Sequence, residues 1–151
     1  MNFKLTYATM FNPPVEMHTR FDAALTDLNR SLGATHSLYI NGEERVTAKH
    51  DTRRSPIDQR RVLGHFSLAT VDDVNDAMAA AQAALSGWRA TPMEERVRLL
   101  KRVAALIEER VYDIGAAMSL EVGKNRMEAL GEVQETADFF NLYADDYAGH
   151  N

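Results

Sequence analysis

Glu135, Phe139 and Leu142 stand at i, i+4 and i+7, a spacing that gathers them on one side of a helix and sets a carboxylate beside a hydrophobic patch. Val133 and Ala137 fall on the opposite side. This helix is therefore expected to have two faces that want cover, and nothing left over in the chain obviously supplies the second. Such a carboxylate can orient a charged group. The same pattern also describes a solvated acid beside partly exposed apolar residues, and spacing alone leaves both readings open.

No other constellation in the chain suits a reaction. There is no cysteine, which removes disulfides, thiolate metal ligands and a cysteine nucleophile. No glycine-rich phosphate loop, G-x-G-x-x-G, H-E-x-x-H or Glu-x-x-His motif occurs. His18, His36, His50, His65 and His150 are scattered and read as surface or turn residues. Adjacent acids such as Glu94 and Glu95, or Glu108 and Glu109, diverge on a helix and form solvated faces instead of an acid/base pair. The residues by themselves thus name no catalytic group, no cofactor-binding group and no metal ligand.

The elements that must position Glu135 are a helix pair from Thr91 to Tyr147. Val97, Leu100, Val103, Ile107, Val111, Ile114 and Met118 recur at intervals of three and four and predict one long amphipathic helix. Thr91, Pro92 and Glu94 fall at N-cap, N1 and N3, and Gly123 can take the left-handed conformation that stops a helix. Asn125 and Glu128 repeat the capping pattern, and Leu130, Val133, Ala137, Phe140, Ala144 and Tyr147 give the second helix its stripe.

Before this pair, residues 1–15 contain Asn12-Pro13-Pro14 and read as an extended arm. Phe21, Leu25, Leu28 and Leu32 predict a short helix from about Met17 stopped by Gly33. Ser37 to Ile40 and Glu43 to Ala48 flank Asn41-Gly42, the dipeptide suited to the two positive φ angles of a type I′ hairpin. An isolated ribbon is marginal in water, so it should be completed by further strands, in this chain or a partner. Residues 50–61 read as loop and turn, Val62 to Ala69 as one more strand. Thr70 caps a helix in which Val71, Val74, Met78, Ala81, Leu85 and Trp88 share a face, with Asp72 and Asp73 favourable to its dipole. The fold class is α/β, α+β as seen in this stretch: a hairpin and strand followed by three amphipathic helices.

At 151 residues, 45% hydrophobic and 26% charged, the chain suits one core. No window approaches the roughly 18 to 20 apolar residues that cross a bilayer, and no export signal opens the sequence, so a soluble, cytoplasmic protein without a membrane partner is expected. Residues 1–65 carry 9 basic and 7 acidic side chains, residues 66–151 carry 8 and 15. An acidic helical half repels a phosphate backbone, so nucleic acid is not an expected partner, and the pairs Arg53-Arg54 and Arg60-Arg61 read as solvated surface.

Taken together, Asn41-Gly42-Glu43, Ser55-Pro56-Ile57-Asp58, the run Ala-Thr-Val-Asp-Asp-Val-Asn-Asp-Ala at 69–77, Trp88, Glu95-Arg96, Leu99-Leu100 and Glu121-Val122-Gly123-Lys124 resemble the N-terminal segment of the aldehyde dehydrogenase superfamily. The leading arm and helix, Leu38-Tyr39-Ile40, Glu121 to Asn125 and Asp138-Phe139-Phe140 are most similar to its pyrroline-5-carboxylate, or glutamate-semialdehyde, dehydrogenase branch. The resemblance implies residues 1–35 as arm and helix and 36–151 as the N-terminal part of the aldehyde dehydrogenase domain. It implies an NAD(P)-dependent oxidoreductase of proline catabolism in which a cysteine thiolate attacks the aldehyde, hydride passes to NAD and an activated water releases the acid.

The cysteine, the catalytic glutamate and the cofactor loop of that family have no counterpart here. The resemblance therefore implies a chain that is inactive and binds no NAD alone, partnered by the rest of the domain and, in the complete enzyme, by further copies in a homo-oligomer. It carries over two substrate-binding positions: Glu135, matching an acid near the substrate pocket, and Phe139, one helical turn on. The competing expectation is a free-standing helical interaction module, or a truncated non-catalytic copy, that binds a partner through Glu135, Phe139 and Leu142.

Overall fold

The computed structural model describes residues 12–149, so most of the expected N-terminal arm lies outside the described residues. The chain divides into two compact units: one takes the residues up to Ser31 together with those from Pro92 onward, and the other spans Leu32–Thr91.

The second unit holds the strands. Gly33 donates its amide to the Leu63 carbonyl and leads into β1 (Ala34–His36). β2 (Leu38–Ile40) and β3 (Glu43–Arg45) form the expected antiparallel ribbon, pairing Leu38 with Arg45 and Ile40 with Glu43. Asn41 and Gly42 take φ 53 and 80, as the two-residue turn requires. Residues 46–48 leave the ladder, so the second strand is shorter than its sequence pattern.

The region expected to be all loop corrects the sequence reading. His50–Arg54 is a strand, β4, antiparallel to β5 (Val62–Ser67), with a bulge between Arg53 and Arg54. β1 is parallel to β5 on its other side, giving a sheet ordered β1-β5-β4. Only residues 55–61 remain a turn, built around buried Ser55, whose hydroxyl accepts the Ile57 amide.

α2 (Val71–Ala90) begins as predicted. Thr70 accepts the Asp73 amide and the Asp73 carboxylate accepts the Thr70 amide and hydroxyl. The bonds that the carboxylate accepts from the Thr70 amide and hydroxyl, with Arg45 secondary, hold the Asp73 carboxyl below its ordinary range. Arg45 bridges Asp73 and Asp76 and so ties the ribbon to α2. The predicted stripe has the right period, yet Val71, Val74, Met78, Leu85 and Trp88 are 46 to 76% exposed.

The first unit is helical. α1 (Val15–Asn29) starts two residues before Met17 and buries Met17, Phe21 and Ala24, a face turned slightly from the one its leucines suggest. The helix expected from Thr91 onward is two helices, α3 (Met93–Glu109) and α4 (Val111–Val122), separated at Arg110 with φ −106 and ψ 19. Tyr112, Ala116 and Leu120, off the predicted stripe, are buried, while Val103, on it, is exposed. Thr91 does not cap α3: it closes α2, its hydroxyl donating to the Gly87 carbonyl, and Pro92 takes the N-cap position.

Gly123 ends α4 at φ 76, and α5 (Arg126–Gly149) follows, with the Asn125 carboxamide accepting the Met127 and Glu128 amides. α5 packs on α3 and α4, where Ala104, Ala116, Ala129, Ala137 and Ala144 are buried and let the helix axes approach. The α1, α4 and α5 side of this core is Met17, Phe21, Ala24, Tyr112, Ala116 and Leu130.

Two glycines separate the local rules cleanly. Gly123→Ala should cost about 1 kcal/mol or more, because an alanine is strained at positive φ. Gly87→Ala, in the interior of α2 where an added Cβ meets nothing within 4 Å, should stabilise by about 0.5 to 1 kcal/mol. Urea unfolding of both variants checks the pair, and same-sign shifts would contradict the assigned helix ends.

Candidate functional site

α5 sets the position of every candidate side chain. Its inner face is fixed by burial of Leu130, Val133, Ala137 and Ala144 and by Gln134, which is buried and donates to Glu108 of α3 at 3.2 Å and to Asp138 at 3.1 Å. Lys101 of α3 pairs with Asp145 further along, and Lys124 with Glu132 near the start. With that face held, the opposite one is determined by the 3.6-residue period.

Glu135 lies on this outer face and is exposed. Phe139 stands one turn on, 46% exposed, and Leu142 is likewise exposed. Tyr143, which the sequence reading did not single out, stacks on Phe139 with ring centroids 5.8 Å apart and planes 12° from parallel. The i, i+4 interval between the two rings was the available signal. The surface therefore presents the Glu135 carboxylate on the same face as two near-parallel aromatic rings and a leucine.

Chemically this arrangement can bind and orient. A carboxylate attracts a cation, and the rings offer an apolar wall that raises the effect of charge wherever water is displaced. It offers no thiol nucleophile, the chain having no cysteine. Among the described residues no group of three or more His, Asp or Glu side chains could hold a metal ion. Nor does a glycine-rich turn lead into a helix: the described helices begin after Pro14, Thr70, Pro92, Arg110 and Asn125. The dinucleotide cradle of a Rossmann turn is thus not among these residues.

The arginine pairs are solvated surface with local acidic partners, Arg53 with Asp51 and Arg60 with Asp58, the latter bond holding the Asp58 carboxyl below its ordinary range. No described helix is long and apolar enough to cross a membrane.

Residues 45–150, which include this outer face, match the model of the Aldehyde dehydrogenase family. The 1-pyrroline-5-carboxylate dehydrogenase of Staphylococcus aureus (strain MW2) is 37% identical over 124 residues, 82% of this chain. A variant of the Thermus thermophilus 1-pyrroline-5-carboxylate dehydrogenase superposes with a TM-score of 0.87 at 30% identity, over 96% of this chain and 27% of its own. A Thermus 1-pyrroline-5-carboxylate dehydrogenase with bound NAD superposes equally well, over the same shares. The chain spans 24% of the length of the Staphylococcus relative.

Proposed function

The chain belongs to the aldehyde dehydrogenase family, and from that premise we propose that it is the N-terminal portion of an NAD-dependent enzyme oxidising glutamate semialdehyde, the open form of pyrroline-5-carboxylate, to glutamate. The observation that carries this reading is the agreement of identity and fold with 1-pyrroline-5-carboxylate dehydrogenases over nearly the whole chain. A cytoplasmic location, a homo-oligomeric complete enzyme and residues 36–151 as the start of the aldehyde dehydrogenase domain belong to the same proposal.

In this reading the chain contributes positioning. Glu135 holds the ammonium group of the semialdehyde, and Phe139 lines the apolar side of the same mouth. In the same reading NAD and the thiolate come from the rest of the domain, since this sequence has no cysteine and no G-x-G-x-x-G motif. NAD accepts the hydride when bound there. A free-standing interaction module would use the same outer face of α5, because its exposed rings and leucine would equally suit a partner helix.

One pair of measurements tests the proposal. The purified 151-residue chain should reduce no NAD with any aldehyde. The Staphylococcus relative, with its matching segment replaced by this chain, should oxidise glutamate semialdehyde with NAD. Turnover that follows the mass of the isolated chain through repurification would overturn the assignment of the chemistry to the missing part. A chimera that folds and binds NAD but does not turn over the semialdehyde would overturn the substrate.

A further inference from the structure

We propose that Asn41 is a self-modifying site, converted through a succinimide to aspartate and isoaspartate, and that pairing of the β2–β3 ribbon gates the conversion. The two reacting groups are neighbours in the chain. The nucleophile is the Gly42 backbone nitrogen and the electrophile is Cγ of the Asn41 carboxamide. Both residues are exposed. Gly42 has no side chain to block the approach, and the place a Cβ would occupy has nothing within 4 Å.

The reaction balances with water alone. The Gly42 nitrogen, losing its proton, bonds to Cγ of Asn41. The Cγ–Nδ2 bond breaks, and Nδ2 leaves as ammonia carrying that proton. Water then opens the five-membered ring. Cleavage at Cγ gives aspartate, and cleavage at the backbone carbonyl gives isoaspartate, in which the main chain runs through Cβ and Cγ.

The gate is the turn. With φ positive at both Asn41 and Gly42 and Ile40 paired to Glu43, the backbone sits in the left-handed geometry of the two-residue turn. Ring closure needs the Asn41 ψ to swing the Gly42 nitrogen toward Cγ, a rotation the closed turn does not allow. The ribbon, however, is two strands of three residues each, not joined to the other sheet, and two-stranded ribbons open readily in water.

The other described asparagines lack the combination. Asn29 and Asn125 are engaged with helix backbone and precede arginine, Asn75 and Asn141 lie inside helices, and Asn12 precedes proline, which has no amide proton. The consequence is one-way. Isoaspartate adds a backbone atom to a two-residue turn, so the Ile40 to Glu43 register is lost. Any strand that joins the ribbon protects Asn41, and a chain that has first reached isoaspartate can no longer offer that edge.

The test keeps the full chain at neutral pH and body temperature and follows Asn41 by peptide mass and by isoaspartyl methyltransferase labelling. Identical samples are held in guanidinium, and Arg45→Ala removes the tie between the ribbon and α2. Asn41 should convert ahead of every other asparagine, about tenfold more slowly in the folded chain than in guanidinium. Arg45→Ala should convert faster when folded and at the same rate when unfolded. No conversion in the folded chain over a period that completes it in guanidinium would overturn the site. Equal folded and unfolded rates would overturn the gate.

Discussion

Phe21→Ala should cost about 3 to 5 kcal/mol, enough to release α1 from the helical unit. Phe21 is 2% exposed and sits at the centre of the contact between α1, α4 and α5, where its ring lies within 3.6 Å of the position a Cβ on Gly115 would take. The same ring carries the Arg126 guanidinium 5.1 Å from its centroid. That cation is further held by Asp22 at 3.0 Å and faces the His18 Nδ1 at 3.0 Å.

Burial dominates this site. A cation over an aromatic face in a partly exposed setting contributes about 0.5 to 1 kcal/mol, well below the loss from emptying a buried aromatic volume. Arg126→Met should therefore cost about 1 kcal/mol, and Leu25→Ala, only half-buried at the edge of the cluster, should fall between the two. Chemical unfolding followed by far-ultraviolet circular dichroism, with proteolysis of α1 as a second probe, measures all three. A Phe21→Ala loss below that of Arg126→Met would mean that charge, and not packing, docks α1.

The features legible from sequence are those whose cause is local. Asn41-Gly42 dictates a turn because both residues tolerate positive φ, and the ribbon follows in the expected register. Thr70 with Asp73, Gly123, and Asn125 act within a few residues, and each marks a helix end as read. The missed features depend on distant partners. Ala34–His36 and His50–Arg54 carry little alternation and little burial, and they are strands because β5 lies between them.

Arg110 was missed for a different reason. Its neighbours keep a 3, 4 spacing straight through the interruption, so periodicity bridges a break that the backbone makes. Ala104 in α3 and Ala116 in α4, too small to stand out in a pattern of larger side chains, turn out to be fully buried. On α5 the reverse holds. Gln134, which the predicted stripe passes over, is buried against Glu108 and Asp138, which anchors the helix and leaves Glu135 and Phe139 outward.

That orientation underlies the last expected result, which concerns the complete enzyme. Glu135→Gln should lower kcat/KM for glutamate semialdehyde by about tenfold or more, corresponding to about 1.4 kcal/mol or more of lost transition-state stabilisation. Glutamine keeps the shape and a hydrogen-bonding oxygen but removes the charge, so only the attraction to the substrate ammonium is lost. Two charges about 4 Å apart at an effective dielectric near 20 interact by about 4 kcal/mol, which leaves room for a loss of this size after solvent and residual polar contacts are counted.

A simple aliphatic aldehyde has no ammonium to lose, and its kcat/KM should stay nearly constant. Folding gives no reason for a general effect, since Glu135 is exposed on the outer face of α5 and substitutions at such positions shift stability by about 0.5 kcal/mol or less. Phe139→Ala, which removes apolar wall without touching charge, should weaken both substrates together. Equal losses for both aldehydes in Glu135→Gln would identify a packing role instead, and no loss for either would return Glu135 to the solvated surface.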